Sequence, residues 1–576
     1  MKPHPLPAAG GYFLPAFFRW LALFGVWAFG VWTLPSAAAA DGPFPVTVTV
    51  NAAQSAGELK PIWRYFGADE PNYATMKDGQ RLLADLGQLA PKQIYFRTHN
   101  LLTTGDGTPA LKWGSTNAYT EDPQGNPIYD WRGVDRIFDS YLARGVRPYV
   151  QIGFMPEAMS IKPQPYRHDW RPGLPYQRIY TGWTQPPKDY AKWGELSYQW
   201  AKHVQEKYGD AEVSTWWWEV WNEANIAYWS GTPEEFRKLH DYAVAGVRRA
   251  LPHARVGGPD CAGDGGQFMK DFLEHCLHGT NYATGEKGTP LDFVSFHAKG
   301  SPTFVDGHVR MGIGAQLKGI EKAFATISSY PELKNIPVVI GESDPEGCAA
   351  CQGPQNAYRN GTMYSSYTAA VFARKHELAA LHQVNLEGAL TWAFTFEDQP
   401  WFAGFRQIAT NGVPMAVFNV FRMYALMGTE RVEASSTGAL PLTSMIDQGV
   451  RNAPDVGVLA TRSPNKIMIM VWHYHDDDVP GADATMTIDV SGLPAGIRGA
   501  TLTDYRIDQF HSNPYGEWLR MGSPVAPNTE QYAALLKSSQ LTKLAETPAS
   551  VVVKQGVMKY SLNLPRQAVS LLVVEW

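Results

Sequence analysis

Apolar positions along this chain change their period twice. Between about residue 61 and residue 425, short apolar runs alternate with longer stretches in which apolar side chains recur every three or four positions. The first pattern predicts buried strands and the second amphipathic helices. Eight runs stand out, at 63–67, 93–97, 148–152, 216–221, 255–258, 293–296, 337–340 and 390–394. The clearest helix between them opens at Thr232-Pro233-Glu234-Glu235: an N-capping threonine, proline at the first helical position and glutamate at the third. It continues with apolar Phe236, Leu239, Tyr242, Ala243 and Val247. Eight strands, each followed by a helix, predict an α/β fold, a (β/α)8 TIM barrel. Beyond about residue 430, runs at 466–472, 484–490, 550–553 and 569–574 predict an accessory antiparallel β-sandwich domain. The alternating stretch 45–53 lies outside the barrel pattern and is expected to join that sandwich. The expected organisation is 1–40 as a signal peptide, 41–60 as the N-terminal strand of the sandwich, 61–428 as the barrel and 429–576 as the C-terminal sandwich.

Composition narrows the partners. The 576 residues carry 50 Lys and Arg against 55 Asp and Glu, a net charge of −5 with no basic block. That balance excludes a nucleic-acid binder, whose affinity rests on neutralising phosphates. The 20 Trp, 27 Tyr and 25 Phe, in a chain with 53 Gly and 42 Pro, suit either a carbohydrate partner, whose C–H faces stack on flat rings, or a large aromatic core. At the N-terminus, Lys2, His4 and Arg19 precede an apolar run from Trp20 to Pro35, followed by Ser36-Ala37-Ala38-Ala39-Ala40-Asp41. This is the pattern of a secretory signal cleaved after Ala40, giving a secreted or periplasmic protein with no stable membrane insertion after cleavage. Of the four cysteines, Cys348-x-x-Cys351 fits a local disulfide or free thiols, since no second CxxC or spaced His pair accompanies it. No metal and no cofactor is expected.

In a barrel the reacting groups project from the C-terminal ends of the strands. The fourth run closes with Trp221-Asn222-Glu223 and the seventh with Gly341-Glu342-Ser343. These glutamates are 119 residues apart, three strand–helix units, and so face one another across the barrel mouth. Glycoside hydrolysis requires such a pair: one carboxyl protonates the leaving oxygen, the other, ionised, attacks the anomeric carbon. Burial among aromatics raises the first pKa, and hydrogen bonds with a nearby arginine lower the second. One glutamate at a strand end is as readily a cap or a salt-bridge partner. Two at this spacing, one preceded by Asn222, mark Glu223 and Glu342 as catalytic candidates.

Further stretches carry a family resemblance: Tyr95 to Leu101, Tyr129-Asp130-Trp131, Asp135 to Asp139, Gly153 to Pro156, Glu219 to Asn225 and Trp392 to Gly404. In the tail, Arg506-Ile507-Asp508, His511-Ser512-Asn513 and Leu564-Pro565-Arg566 add to them. Over most of residues 60–575 the sequence resembles glycoside hydrolase family 39, the β-xylosidase and α-L-iduronidase family. The resemblance implies a retaining, β-xylosidase-like enzyme acting on an oligosaccharide or glycoside by double displacement. It implies Glu223 as acid/base, Glu342 as nucleophile and Asn222 on the sugar's 2-hydroxyl. His99, His297 and Glu397 stand where the family contacts the sugar, and Trp392 where it has its strand-8 platform.

The pattern departs from the xylosidases at two cations. Many xylosidases have an aromatic residue two past the strand-6 His, but His297-Ala298-Lys299-Gly300 resembles the iduronidase branch. Arg406 stands where xylosidases tend to have Gly. Such cations suit a sugar carboxylate, so an α-L-iduronidase-like activity on uronic-acid glycosides is the alternative, unless Lys299 merely pairs with an acid such as Asp344. A non-catalytic carbohydrate-binding barrel is a third reading, disfavoured because both carboxylates are present. Exo or endo action, linkage and oligomeric state are left open. Glu219, deeper on the strand than Glu223, is expected to be a structural partner of Arg97. Trp216, Trp217 and Trp218 are expected in the core, and Tyr228 and Trp229 either stacked on sugar or packed. His473, His475 and Asp476 to Asp478 are expected as a solvated loop.

Overall fold

The structure is a computed structural model that describes residues 42–348, 350–393, 397–545 and 548–576. The expected signal peptide lies outside the described residues. Eight parallel strands form a ring: β1 (Tyr65–Ala68), β2 (Ile94–Thr98), β3 (Val146–Ile152), β4 (Trp217–Val220), β5 (Arg255–Cys261), β6 (Phe293–His297), β7 (Val338–Glu342) and β8 (Leu386–Ala389, resumed at Thr391–Trp392). Neighbours in sequence are neighbours in the ring. The first half of β8 pairs with β7 and the second with β1, which closes the barrel. The eighth run was expected at 390–394, yet the strand begins at Leu386. Its Gly388 lies against the Tyr65 ring, where any side chain would collide, so this half of the strand lacks the apolar density of a buried run.

The helix Pro233–Ala250 opens on the full capping box: Glu235 N donates to Thr232 Oγ1 (3.1 Å) and Thr232 N to the Glu235 carboxylate (2.7 Å). Phe236, Leu239, Ala243 and Val247 are buried along one face. The helix Thr362–His382, between β7 and β8, is buried on almost every side. It is wedged between the barrel and a second sheet, with Tyr367 edge-on to Tyr474 (5.7 Å) and Ser366 Oγ donating to Gln567 (2.6 Å).

That second sheet has ten strands. Phe44–Glu58 lies in its middle, antiparallel to Glu430–Ser436 and parallel to Ala484–Ser491. The sheet is therefore mixed rather than wholly antiparallel. A parallel pair needs a long crossover, and here the crossover contains the entire barrel and three strands of the sheet itself. The sheet wraps its own apolar core, including Val46, Val48, Val50, Ile469, Ile488 and Leu572. The cluster at the end of the strand Lys466–Tyr474 also departs from expectation. His473, His475 and Asp476 are buried, and Asp477 pairs with Arg310 (2.6 Å) from the barrel. These residues seal the junction between barrel and sheet instead of forming a solvated loop.

Candidate active site

The barrel mouth is built from sharp exits at the strand ends. Trp221, Glu223 and Asp260 all have left-handed backbone (φ 69°, 46° and 52°), a conformation that costs non-glycine residues free energy and marks constrained sites. The turn folds Glu223 back over the mouth, its N–H on the Asp260 carbonyl (2.9 Å). Glu342 ends β7 and is nearly closed off, its side chain 6% exposed, whereas that of Glu223 is 16% exposed.

His297, at the end of β6, joins the two. Its Nδ1 lies 2.8 Å from Glu223 Oε1 and 4.0 Å from Glu342 Oε1, and its Nε2 lies 2.9 Å from Asp260. Below them Arg97 donates to Glu219 (2.6 Å), to Asn222 Oδ1 (2.9 Å) and to Asp260. Arg97 also lies 3.8 Å from Glu342. On the other side Lys299 Nζ donates to Glu342 Oε2 (2.6 Å), and Arg406 reaches the same oxygen at 3.3 Å. Both cations also face Asp344 at 3.5 Å, and Arg406 donates to the Glu346 carbonyl.

These contacts set the charges. Burial works against an ionised Glu342, yet Lys299, His297, Arg406 and His99 hold its carboxyl well below the usual carboxylate range. Burial would lower the pKa of His297, but Asp260, Glu342 and Glu223 push it up to about 10. Burial and Asp260 raise Glu219 despite Arg97. Burial lowers His99, with Asp69 opposing.

Above this network is a pocket of about 220 Å³, walled by Glu223, Glu342, Trp392, Tyr176, Tyr180 and Tyr228. Asp69, His99 and Lys112 also line it, and Asp69 takes Lys112 on one oxygen and His99 Nδ1 (2.8 Å) on the other. The loop after β7 adds Gly347 and Cys348 to the wall; Cys348 is disulfide-bonded to Cys351.

The sequence candidates separate into three groups. Glu223, Glu342, His99, Trp392 and Arg406 line the pocket, while Lys299 grips Glu342 from the side and Asn222 keeps a buried Nδ2 without a hydrogen-bond partner. His297 is fully buried, with Nδ1 hydrogen-bonded to Glu223 and Nε2 2.9 Å from Asp260 without a hydrogen bond, so it lies beneath the site. Glu397 lies outside the pocket wall: its carboxylate accepts from Asp78 N (2.5 Å) and caps the helix Lys77–Leu89, whose own N-cap Met76 has no capping side chain. Tyr228 lines the pocket, while Trp229 packs edge-on against Trp221 (5.2 Å). Asp69, Lys112, Tyr176, Tyr180 and Asp260 were not found from sequence. The signal available was an acid directly after the Gly258-Pro259 pair and another directly after β1. No group of metal-ligating side chains occurs among the described residues.

The sequence model of the glycosyl hydrolases family 39 matches residues 46–556. A β-xylosidase of Caldicellulosiruptor saccharolyticus is 24% identical over 91% of this chain and 98% of its own. An α-L-iduronidase of Mus musculus is 25% identical over 91% of this chain and 79% of its own. Among solved structures, a monomeric β-xylosidase from Caulobacter crescentus CB15 has the same fold, with a TM-score of 0.70 at 20% identity, covering 92% of this chain and 99% of that one.

Proposed function

This chain belongs to glycosyl hydrolase family 39 and is a glycoside hydrolase; from that premise we propose that it is a retaining β-xylosidase with Glu342 as nucleophile and Glu223 as acid/base. Glu342 attacks the anomeric carbon while Glu223 delivers its proton to the leaving oxygen, so the glycosidic bond breaks as a glycosyl ester forms. Glu223 then takes a proton from water, whose oxygen attacks the anomeric carbon and frees Glu342. The observation that carries this reading is the shared contact on His297 Nδ1, 2.8 Å from one carboxylate and 4.0 Å from the other. The two oxygens cannot be further apart than the sum of those distances. That bound admits the roughly 5–5.5 Å separation of retaining pairs.

Other features fit. The cations around Glu342 keep it ionised, as a nucleophile must be. The free Nδ2 of Asn222 is available to the sugar's 2-hydroxyl. Lys299 and Arg406 are already bound by Glu342, Asp344 and Glu346, which favours a neutral sugar over a uronate.

The test is turnover of an aryl β-D-xyloside against an aryl α-L-iduronide, with the first-formed sugar read by proton NMR. We expect the xyloside to be preferred with retained configuration, and Glu342→Gln to lose on the order of 10⁴-fold or more in kcat while remaining folded. An inverted product or an active Glu342→Gln overturns the mechanism; preference for the uronide overturns the substrate.

A further inference from the structure

We propose that Asp260 is a positioning residue for the acid/base: its carboxylate, 2.9 Å from Nε2 of His297, holds that ring so that Nδ1 faces Glu223. The inference rests on the reading of Glu223 as acid/base. Glu223, His297 and Asp260 come from the ends of the adjacent strands β4, β6 and β5, and the ring bridges the two carboxylates at 2.8 and 2.9 Å. Asp260 also holds Glu223 through the main chain, its carbonyl accepting the Glu223 N–H (2.9 Å). One residue thus fixes both the backbone of the acid/base and the partner of its side chain. Asp260 is fully buried, with left-handed backbone, and its Oδ1 has no hydrogen-bond partner. Gly341, directly before the nucleophile, leaves the room that this oxygen occupies; a Cβ there would collide with it.

Flanked by Asp260, Glu342 and Glu223, the ring carries protons on both nitrogens, so Nδ1 donates to Glu223. The charged groups facing the ring are Glu223 from the end of β4, Asp260 from β5 and Glu342 from β7. Among them Asp260 is the strongest influence favouring the charged ring, whose pKa is about 10. The charged ring lies 2.8 Å from Glu223 Oε1, so Asp260 acts through His297 on where the acid/base carboxyl is held.

The experiment compares wild type, Asp260→Asn and Glu223→Gln. The ring of His297 is followed by NMR with labelled histidine, and kcat and KM are measured for an aryl β-D-xyloside. In Asp260→Asn the ring should lose its proton at a lower pH than in the wild type, because its main favouring charge is gone, and kcat should fall roughly tenfold at unchanged KM. An unchanged ring titration, or an unchanged kcat, overturns the proposal. If Asp260→Asn does not fold, Asp260→Ser carries the same expectations. Should Glu223→Gln keep full activity, the acid/base assignment fails, while the NMR still decides whether Asp260 controls His297.

Discussion

The ten-stranded sheet and the barrel mouth are both made of buried strands, and they bury opposite things. Val48, Val50, Ile467, Ile469, Met486, Ile488 and Leu572 of the sheet are at most 1% exposed and form one apolar core. At the barrel mouth Arg97, Glu219, Asp260 and His297 are fully buried as well, with Glu342 at 5%. Apolar burial stabilises in proportion to area. Buried charges must first be stripped of water, and a well-paired set does no better than hydrophobic residues of the same volume. The difference teaches where each property resides: stability comes from the sheet and the barrel wall, and the mouth draws on it to hold charges where chemistry needs them. The sheet should answer to changes in volume, and the mouth to changes in charge.

The largest test of this division is removal of residues 42–58. That strand has partners on both sides, Glu430–Ser436 and Ala484–Ser491, so its loss opens the sheet in the middle and exposes Ile488 and Val432. We expect insoluble protein on expression. A soluble, fully active product would mean that the barrel does not need the sheet.

A milder test is Ile488→Ala. The side chain is fully buried in the sheet core, and the truncation should lower stability by about 2–5 kcal/mol, read from denaturant unfolding. The kcat/KM of the folded enzyme should be unchanged. Glu342→Gln should do the reverse, removing turnover and leaving the sheet core intact. A large drop in kcat/KM for Ile488→Ala would break the division.

The same division governs what the sequence revealed. Strands and helices whose burial is apolar were legible, because burial writes its period into the chain: seven of the eight barrel runs overlap the observed strands closely, and the Thr232 capping box is in place. The eighth strand was displaced because Gly388 yields to the Tyr65 ring. The parallel pairing of Phe44–Glu58 was invisible, since its partner lies beyond the whole barrel and the alternation is the same for either direction. At the mouth, position along a strand revealed the two glutamates, but not which side chains meet. The fifth run ended at Gly258, and β5 continues through a register shift to Cys261, so Asp260 was passed over. Asp69 and Lys112 come from loops, where no period exists to read. His297 was placed correctly at the end of its strand, yet only the fold shows that both of its nitrogens face carboxylates.

The smallest effect concerns where the charged mouth ends. The resemblance put Glu397 on the sugar, whereas its carboxylate caps the helix Lys77–Leu89 through Asp78 N. That helix starts after Met76, which offers no capping side chain, so its first N–H groups depend on a partner from elsewhere in the chain. A carboxylate there satisfies one donor and faces the positive end of the helix dipole. Glu397→Ala removes both. The expected cost is about 1 kcal/mol of stability, the usual worth of an N-cap, seen as a small drop in Tm. The KM for an aryl β-D-xyloside should not change, because the side chain does not line the pocket. Alanine is the informative replacement, since glutamine would keep an acceptor for Asp78 N and leave the cap in place. A rise in KM of tenfold or so at unchanged Tm would put Glu397 on the sugar and extend the charged site past the barrel mouth; a drop in Tm at unchanged KM would leave it, with the sheet, on the side of the molecule that only holds the fold.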